Sequence, residues 1–306
     1  MKSGYHLKHV PNLNKEELDL LPASGKHSTG QKEYPAVVHK PPRNINLLTM
    51  IIRKNHYQNP DGDLEFFNYH RYGEIFVLPL ENVPEATLTR EGGHVEEFRD
   101  YLDYRSHFFE GGYFPSMKAI REKYPGTKFT FNMKYRDGRE ISHIINLKEA
   151  SEPPAVRFTL IQDDEEVSPV GIDPKKDLTV RWSQFSEGVN DPNGIMDDLA
   201  LVRFDTCEGE RKLQYISGVP TLNGEYLTYK DREVVVPAVT LRPRSWSWLT
   251  GEFFKMVETS MFDGAPAIAS YMTATYLATR TIGGSDEAPC MEFFNRLRER
   301  SRYWKA

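Results

Sequence analysis

The sequence has few cysteines, no long apolar run and no excess of positive charge, and each shortage narrows what the chain can be. Its 306 residues carry a formal net charge of −5, whereas a general nucleic-acid binder shows a basic excess. No stretch of about 18 apolar residues is present, so the sequence offers no candidate transmembrane helix. We therefore expect a protein that neither binds nucleic acid nor spans a membrane with a helix.

The two cysteines, Cys207 and Cys290, are too few for a disulfide framework, which takes four or more. We expect both to be reduced side chains, with a single bridge between them as the alternative. The N-terminal segment has no apolar run of the kind found in a signal peptide. This feature favours a cytoplasmic location.

Short catalytic motifs are also missing. The sequence contains no G-x-S-x-G, no P-loop, no G-x-G-x-x-G, no HExxH and no CxxC, so it predicts no cofactor and no zinc site. The oxygen-rich residues Asp191, Asn193, Asp197 and Asp198 are similar in composition to a calcium loop. They lack the EF-hand spacing and its closing Glu, and Asn-Asp-Pro-Asn-Gly is a typical turn. We interpret this segment as a turn and predict no metal site.

Aromatic residues are abundant, at 12% of the chain, and they suit half-buried β surfaces. Short alternating runs separated by Gly, Pro, Asn and Asp predict many strands, and few of these runs alternate with long helical patterns. The predicted fold class is mainly β: two antiparallel β-sandwich (Ig/fibronectin-like) domains. The prediction also includes a short internal helix, which begins after the N-cap candidate Ser116, and a C-terminal helix. The segment 94–110 is ambiguous between helix and strand.

Changes of pattern divide the chain into four segments. Residues 1–44 predict an extended N-terminal arm, which either drapes over its own domain or wraps a neighbouring subunit in a homo-oligomer. Residues 45–150 predict an aromatic-rich β domain, and residues 151–284 predict an Ig/fibronectin-like sandwich. Residues 285–306 predict a basic amphipathic helix with an apolar stripe of Phe293, Leu297 and Trp304.

A set of motifs from about Pro115 onward carries a family resemblance. The motifs are Phe114-Pro115-Ser116, Tyr124-Pro125-Gly126-Thr127, the strand that ends at Trp182, Val236-Pro237-Ala238, Leu241-Arg242-Pro243 and a closing strand from Tyr271 to Thr281. About half of the chain thereby resembles the Ig/fibronectin-type β-sandwich modules of secreted bacterial proteins. The resemblance implies a sandwich fold and no catalytic activity.

Histidines and tyrosines concentrate in the first half of the chain. They could form an aromatic pocket in which a histidine, titrating near neutral pH, exchanges protons with a substrate. The alternative is packing, since aromatic side chains in strands commonly form the core. The candidate catalytic residues are His56, His70, His107, Tyr69, Tyr72 and Tyr104.

A second set of aromatic residues could bind a ligand directly. Trp246 and Trp248 share one face of a strand, where they either stack against a sugar or fill the core. The candidate ligand-binding residues are Tyr57, Phe67, Tyr101, Phe108, Trp246 and Trp248.

Two functions remain open. The first is a non-enzymatic binding or assembly protein, whose ligand is a small molecule, a carbohydrate or a protein partner. The alternative is a metal-independent lyase, isomerase or cyclase that acts on a small hydrophobic or phenolic substrate. The enzyme requires the histidines and tyrosines to converge in a closed pocket, and the sugar platform requires exposed tryptophans.

Overall fold

The computed structural model describes residues 32–33, 45–77, 80–101, 106–207, 212–218, 225–286, 289–292 and 295. The described chain is mainly β and forms three sheets. This confirms the predicted fold class.

The largest sheet has ten strands and forms the centre of the molecule. In spatial order its strands are β1 (Lys32–Glu33), β15 (Glu225–Thr228), β13 (Leu199–Thr206), β17 (Trp246–Phe262), β18 (Ala265–Arg280), β2 (Ile45–Gln58), β3 (Leu64–Val77), β7 (Ser106–Phe114) and β6 (Arg99–Tyr101), while β14 (Leu213–Ile216) pairs with β13. Every pair in this sheet is antiparallel except β18 with β2. This parallel contact joins the N-terminal and C-terminal parts of the chain within one sheet.

Two four-stranded antiparallel sheets accompany the central one. One contains β5 (Val95–Glu97), β4 (Glu85–Arg90), β8 (Lys128–Lys134) and β9 (Glu140–Asn146). The other contains β11 (Glu165–Glu166), β10 (Phe158–Gln162), β12 (Leu178–Trp182) and β16 (Glu233–Val236). A 3-10 helix (Leu80–Asn82) precedes β4.

Alternation of apolar and polar residues decides which side of each small sheet is buried. In β8, Phe129, Phe131 and Met133 are buried, and the residues between them are only partly buried. In β12, Leu178, Val180 and Trp182 are buried in the same alternating way. A strand with this period has one apolar face that must be covered. Both small sheets cover theirs against the same face of the central sheet.

Two sandwiches therefore lie side by side and share the central sheet. In the first sandwich, the β5-β4-β8-β9 sheet packs on β2, β3, β7 and one end of the β17–β18 hairpin. In the second sandwich, the β11-β10-β12-β16 sheet packs on β13 and the other end of that hairpin. The hairpin is long enough for both because β17 has 17 residues and β18 has 16. The division at 150/151 stays a prediction: the two cores follow it in part, and the central sheet crosses it.

The internal helix forms where the sequence predicts it. Helix α1 (Met117–Lys123) begins after Ser116, whose side-chain oxygen accepts the backbone N–H of Ala119 at 3.2 Å. The ambiguous segment 94–110 contains β5, β6 and the start of β7, and no helix in its described part. Helical spacing was misleading there because the aromatic residues face both sides of strands.

The cysteines correct one expectation. Cys207 and Cys290 are joined in a disulfide with their Cα atoms 5.1 Å apart, so the expectation of reduced side chains was wrong. The two residues lie 83 positions apart, and sequence spacing gave no sign that the fold brings them together.

Both terminal predictions lie largely outside the described residues. Within the N-terminal arm, Lys32 and Glu33 pair with β15 at the edge of the central sheet. Within the C-terminal segment, residues 290–292 are helical, and Phe293, Leu297 and Trp304 are outside the described part. None of the described helices is long and apolar enough to cross a membrane.

Candidate functional site

Six of the predicted residues meet on the face of the central sheet that points away from the two sandwich cores. Tyr57, Phe67, Tyr72, Phe108, Trp246 and Trp248 belong to one apolar cluster there. Tyr57 and Trp248 are in edge contact with ring centroids 6.4 Å apart. Trp246 and Trp248 are 6% and 1% exposed. They are packing residues, so the exposed sugar platform that a carbohydrate-binding role would need is not formed.

His70 lies at the centre of this aromatic face. Its ring stacks on Tyr113, with centroids 4.2 Å apart, and on Tyr72, at 4.8 Å. Nδ1 is 3.3 Å from an Arg53 nitrogen, and Nε2 is 2.7 Å from Glu110 Oε1. A guanidinium only donates hydrogen bonds, so Nδ1 accepts and Nε2 carries the proton that it donates to Glu110. Both ring nitrogens of His70 are therefore engaged within the protein.

The other predicted catalytic residues lie elsewhere. Tyr69 donates its hydroxyl to Glu152 at 3.0 Å, and Lys54 pairs with the same carboxylate at 2.8 Å. Burial, together with Lys54, lowers the pKa of His56 to about 4, so this imidazole is neutral at pH 7. His107 lies 2.6 Å from the Val83 carbonyl and 2.9 Å from Asp100.

The predicted acid–base set is thus divided among three places. His70 and Tyr72 meet on the aromatic face. His56 and Tyr69 lie on the core side, and His107 binds the segment before β4. The Tyr101 side chain and Tyr104 lie outside the described residues. Among the candidates that the structure describes, only His70 and Tyr72 contact each other as an acid–base pocket would require.

The oxygen-rich segment is a cross-linked turn. The Asp191 carboxylate accepts the backbone N–H groups of Asn193, Ile195 and Met196 and the hydroxyl of Thr259. Its oxygens are therefore occupied in fixing the turn against β17. The described ranges contain no group of three or more His, Cys, Asp or Glu that could hold a metal ion.

Arg71 is the buried charge that the sequence did not single out. It follows His70 in β3 and points to the opposite face, into the first sandwich. Arg71 is 1% exposed, and its Cζ atom lies 4.0 Å from the Tyr124 ring centroid and 4.6 Å from the Phe129 ring centroid. Among the residues that the structure describes, Nε and Nη2 have no hydrogen-bond partner. Leaving such a group unsatisfied is costly, so this site needs a functional explanation.

A cavity of about 160 Å³ lies beside Arg71, between helix α1 and the central sheet. Its apolar lining consists of Ile52, Met117, Ile120, Phe129 and Leu147. Its polar lining includes Arg71, Arg121, Tyr124, Thr127, Glu149 and Tyr271. Arg71 and Ile120 are buried, whereas Arg121, Pro125 and Gly126 are exposed. The cavity therefore runs from a surface rim down to a buried charge, and we call it the Arg71 cavity.

A β-bulge shapes the wall around Arg71. The register between β3 and β7 shifts between Arg71 and Tyr72, opposite Gly111 and Gly112. A Cβ on Gly111 would lie 2.8 Å from the Arg71 carbonyl oxygen, so only glycine fits there. The Tyr124 hydroxyl donates to the Gly111 carbonyl at 2.8 Å. Bulges commonly re-aim a side chain beside a functional site, and this one fixes Tyr124 against Arg71.

The inner end of the Arg71 cavity carries the positive charge of Arg71. Burial lowers the pKa of Arg71 to about 10, which still leaves the side chain charged at pH 7. Arg90 lies nearby, 4.9 Å from the Tyr124 ring, and is paired with Glu96 at 3.2 Å. At the rim, Arg121 is paired with Glu149 at 3.3 Å. The free positive charge therefore lies at the bottom of the cavity.

One signal in the sequence could have found this site. Arg71 is the charged residue in the run Phe67 to Tyr72, where the strand is buried on both faces. A charge in such a strand is rarely there for packing. The cavity itself could not be read from the sequence, because its far wall comes from α1 and from Leu147.

Comparison with known proteins gives weak matches only. No family model matches the chain. No curated protein matches it either. Among solved structures, murine CEACAM1b aligns over 76% of this chain and 100% of that chain, at 8% identity and a TM-score of 0.21. The chicken CNTN1 FN1-FN3 domains align over 78% of this chain and 67% of that chain, at 9% identity and a TM-score of 0.19.

A third match is the yeast delta-COP-I mu-homology domain complexed with a Dsl1 WxWxV peptide. It covers 78% of this chain and 98% of that chain, at 10% identity and a TM-score of 0.24. The weak resemblance to Ig and fibronectin sandwiches that the sequence motifs indicated is confirmed. Similarity at this level identifies neither a ligand nor a partner.

Proposed function

We propose that this chain is a non-enzymatic binding protein that holds a small molecule in the Arg71 cavity. The observation that carries this proposal is a buried guanidinium beside a cavity that reaches the surface, with two nitrogens that have no hydrogen-bond partner in the described part of the chain. Ligand sites are concave, mostly apolar and equipped with a few fixed polar groups. The Arg71 cavity is concave, and its lining combines apolar side chains with a buried charge and other polar groups.

The state of the predicted catalytic residues supports binding over catalysis. An acid–base catalyst must exchange a proton with its substrate. Both nitrogens of His70 contact Arg53 and Glu110 instead. The Tyr72 hydroxyl donates to the Met272 sulfur at 3.7 Å, and the Tyr69 hydroxyl donates to Glu152.

The disulfide bears on where this binding takes place. Disulfides persist in oxidising compartments and are rare in the cytosol. The Cys207–Cys290 bridge therefore favours an extracellular or periplasmic location, against the preference drawn from the N-terminal sequence. An assembly role through residues 1–44 stays a prediction.

A fragment screen that compares the wild type with a variant whose cavity is filled by a larger side chain tests the binding function. The full chain is screened by saturation-transfer NMR against small anionic, cationic and neutral fragments, beside the variant Met117→Trp. Met117 lines the cavity, and an indole there fills it. The matched control is Lys118→Trp, because Lys118 is the next residue of α1, is largely exposed and does not line the cavity.

We expect fragments that bind the wild type and Lys118→Trp and fail to bind Met117→Trp. Wild type that binds no fragment of any charge contradicts the proposal. Fragments that bind Met117→Trp as well as they bind the wild type contradict it too, because they would then bind elsewhere.

A further inference from the structure

We infer that the ligand of the Arg71 cavity is a small monocarboxylate with a short apolar tail. This inference rests on the proposed binding function and adds the chemical class of the ligand. It follows from the geometry of the guanidinium, the count of charges and the size and lining of the cavity.

The guanidinium geometry selects a planar anion. The Arg71 Cζ atom lies 4.0 Å from the centroid of the Tyr124 ring and 4.6 Å from that of the Phe129 ring. The N–H groups of a guanidinium lie in its plane, so its hydrogen bonds form along its edges. Nε–H and an Nη2–H lie on the same edge, and these two buried nitrogens have no hydrogen-bond partner among the described residues, so a ligand reaches them by displacing the side chains around them. That pair of parallel donors matches the two oxygens of a carboxylate.

The positive charges at the Arg71 cavity favour a ligand with a single negative charge. Arg71 supplies one buried positive charge, while Arg121 at the rim is paired with Glu149 at 3.3 Å. A carboxylate neutralises Arg71 one for one. A phosphate group carries close to two negative charges near neutral pH, and it would bring an uncompensated charge into a pocket with apolar walls.

The size and lining select a short apolar tail. A cavity of about 150 Å³ is known to accept benzene, and this one measures about 160 Å³. Ile52, Ile120, Leu147 and Met117 form an apolar part of the lining against which a short hydrocarbon tail can pack, while the polar lining residues include Arg121, Thr127 and Glu149. Four-carbon aliphatic acids and benzoate are therefore the right probes.

Matched pairs of probes separate charge from shape. Binding of butyrate, benzoate, benzamide and inorganic phosphate to the full chain is measured by NMR titration at pH 7. Benzamide has the shape of benzoate without its charge. We expect both carboxylates to bind, and benzamide to bind about tenfold more weakly because hydrogen bonds to charged groups are the stronger ones.

Substitutions of single arginines test which positive charge binds the carboxylate. Arg71→Met should weaken benzoate binding by about 30-fold or more, since it removes a charged donor pair. Arg71→Lys, which keeps the charge and loses the planar fork, should give an intermediate loss. Arg121→Met at the rim is the control, with an expected change below about threefold because exposed charges contribute little.

Each outcome distinguishes this inference from the binding function on which it rests. If benzamide binds as tightly as benzoate, or phosphate binds more tightly than both carboxylates, the carboxylate class is wrong while a cavity ligand stands. If both carboxylates bind Arg71→Met or Met117→Trp unchanged, they bind elsewhere and the inference fails. If none of the probes binds but other fragments bind in a Met117-dependent way, only the ligand class fails. Should Arg71→Met not fold, Arg71→Lys and Met117→Trp still decide.

Discussion

The two sandwiches share one sheet and differ in what they enclose. The second is filled without a gap around Gly251, where an added Cβ would lie 2.3 Å from the Phe158 ring. Phe185 and Phe253 stack there with centroids 4.7 Å apart, and the buried Trp182 donates its ring N–H to the Asp231 carbonyl at 3.0 Å. The first sandwich encloses the Arg71 cavity and a guanidinium of which two nitrogens have no hydrogen-bond partner within the described ranges.

This difference assigns separate tasks to the two halves. A close-packed apolar core contributes to stability, whereas a cavity with a buried charge lowers it. A protein keeps such a defect when the defect has a use. The second sandwich is therefore the stabilising half, and the first is the half adapted to bind.

The largest effect is expected from Trp182→Ala. Replacing a buried tryptophan with alanine costs about 3–5 kcal/mol through lost burial and the cavity left behind, and Trp182 also loses its hydrogen bond. Urea unfolding followed by circular dichroism measures the free energy of unfolding. The matched control is Arg181→Ala, an exposed neighbour in an ion pair with Glu233, expected to cost below about 1 kcal/mol. A Trp182→Ala loss as small as the control's would show that the second sandwich is not the stabilising half.

The sequence predicted the strands better than it predicted the Arg71 site, for a physical reason. Alternation in β12 and β16 and the turn residues between strands are local signals, and they predicted the strands there. The Arg71 site depends on contacts between β3, α1 and β8 that are distant in sequence. The aromatic residues chosen as catalytic candidates were chosen by type, and the type of a residue does not say which face of a strand it occupies.

The disulfide and the β-bulge could not be predicted from local sequence patterns either. Cys207 follows β13 and Cys290 lies after β18, and the ends of both strands pair with the start of β17, which brings the two cysteines to the same edge of the sheet. Gly111 and Gly112 show only as a glycine pair in the sequence, and the register of β3 against β7 is needed to see a bulge. For the first half, the sequence placed the candidate residues between His56 and Phe109, and a functional role for that region stays a prediction.

A smaller effect is expected from Glu74→Gln in β3. Burial raises the pKa of Glu74 to about 7 from an ordinary 4.5, although the hydrogen bond from Ser106 opposes the shift. Between these two pH values the folded state holds a proton that the unfolded state releases. The free energy of unfolding therefore falls as pH rises through this window, by up to about 3 kcal/mol when complete.

The variant should remove that pH dependence. Glu74→Gln should match the wild type near pH 4 and exceed it in stability at pH 8. Subtracting the two profiles isolates Glu74, because other shifted groups such as His56 and Asp198 are common to both proteins. Glu140→Gln, at an exposed position of β9, is the control and should leave the slope unchanged. A difference that is the same at pH 4 and pH 8 contradicts the expectation.

The smallest effect is expected for Arg71→Met, measured as the free energy of unfolding without ligand. This variant is also the sharpest test of the contrast between the two sandwiches. Methionine keeps much of the contact with Tyr124 and Phe129 and removes a buried, unpartnered charge. Replacing buried charges with apolar side chains of similar volume is often neutral or stabilising. We expect the free energy of unfolding, measured in urea, to fall by no more than about 1 kcal/mol. Phe131→Ala, at a fully buried position of the same core, should cost about 3–5 kcal/mol. Arg71 is as deeply buried as Phe131. A small decrease in the free energy of unfolding for Arg71→Met, together with a large decrease for Phe131→Ala, would indicate that the guanidinium contributes little to the stability of the sandwich. The guanidinium would then be retained for its ligand. Equal losses at both positions would make Arg71 a packing residue and remove the distinction between the halves.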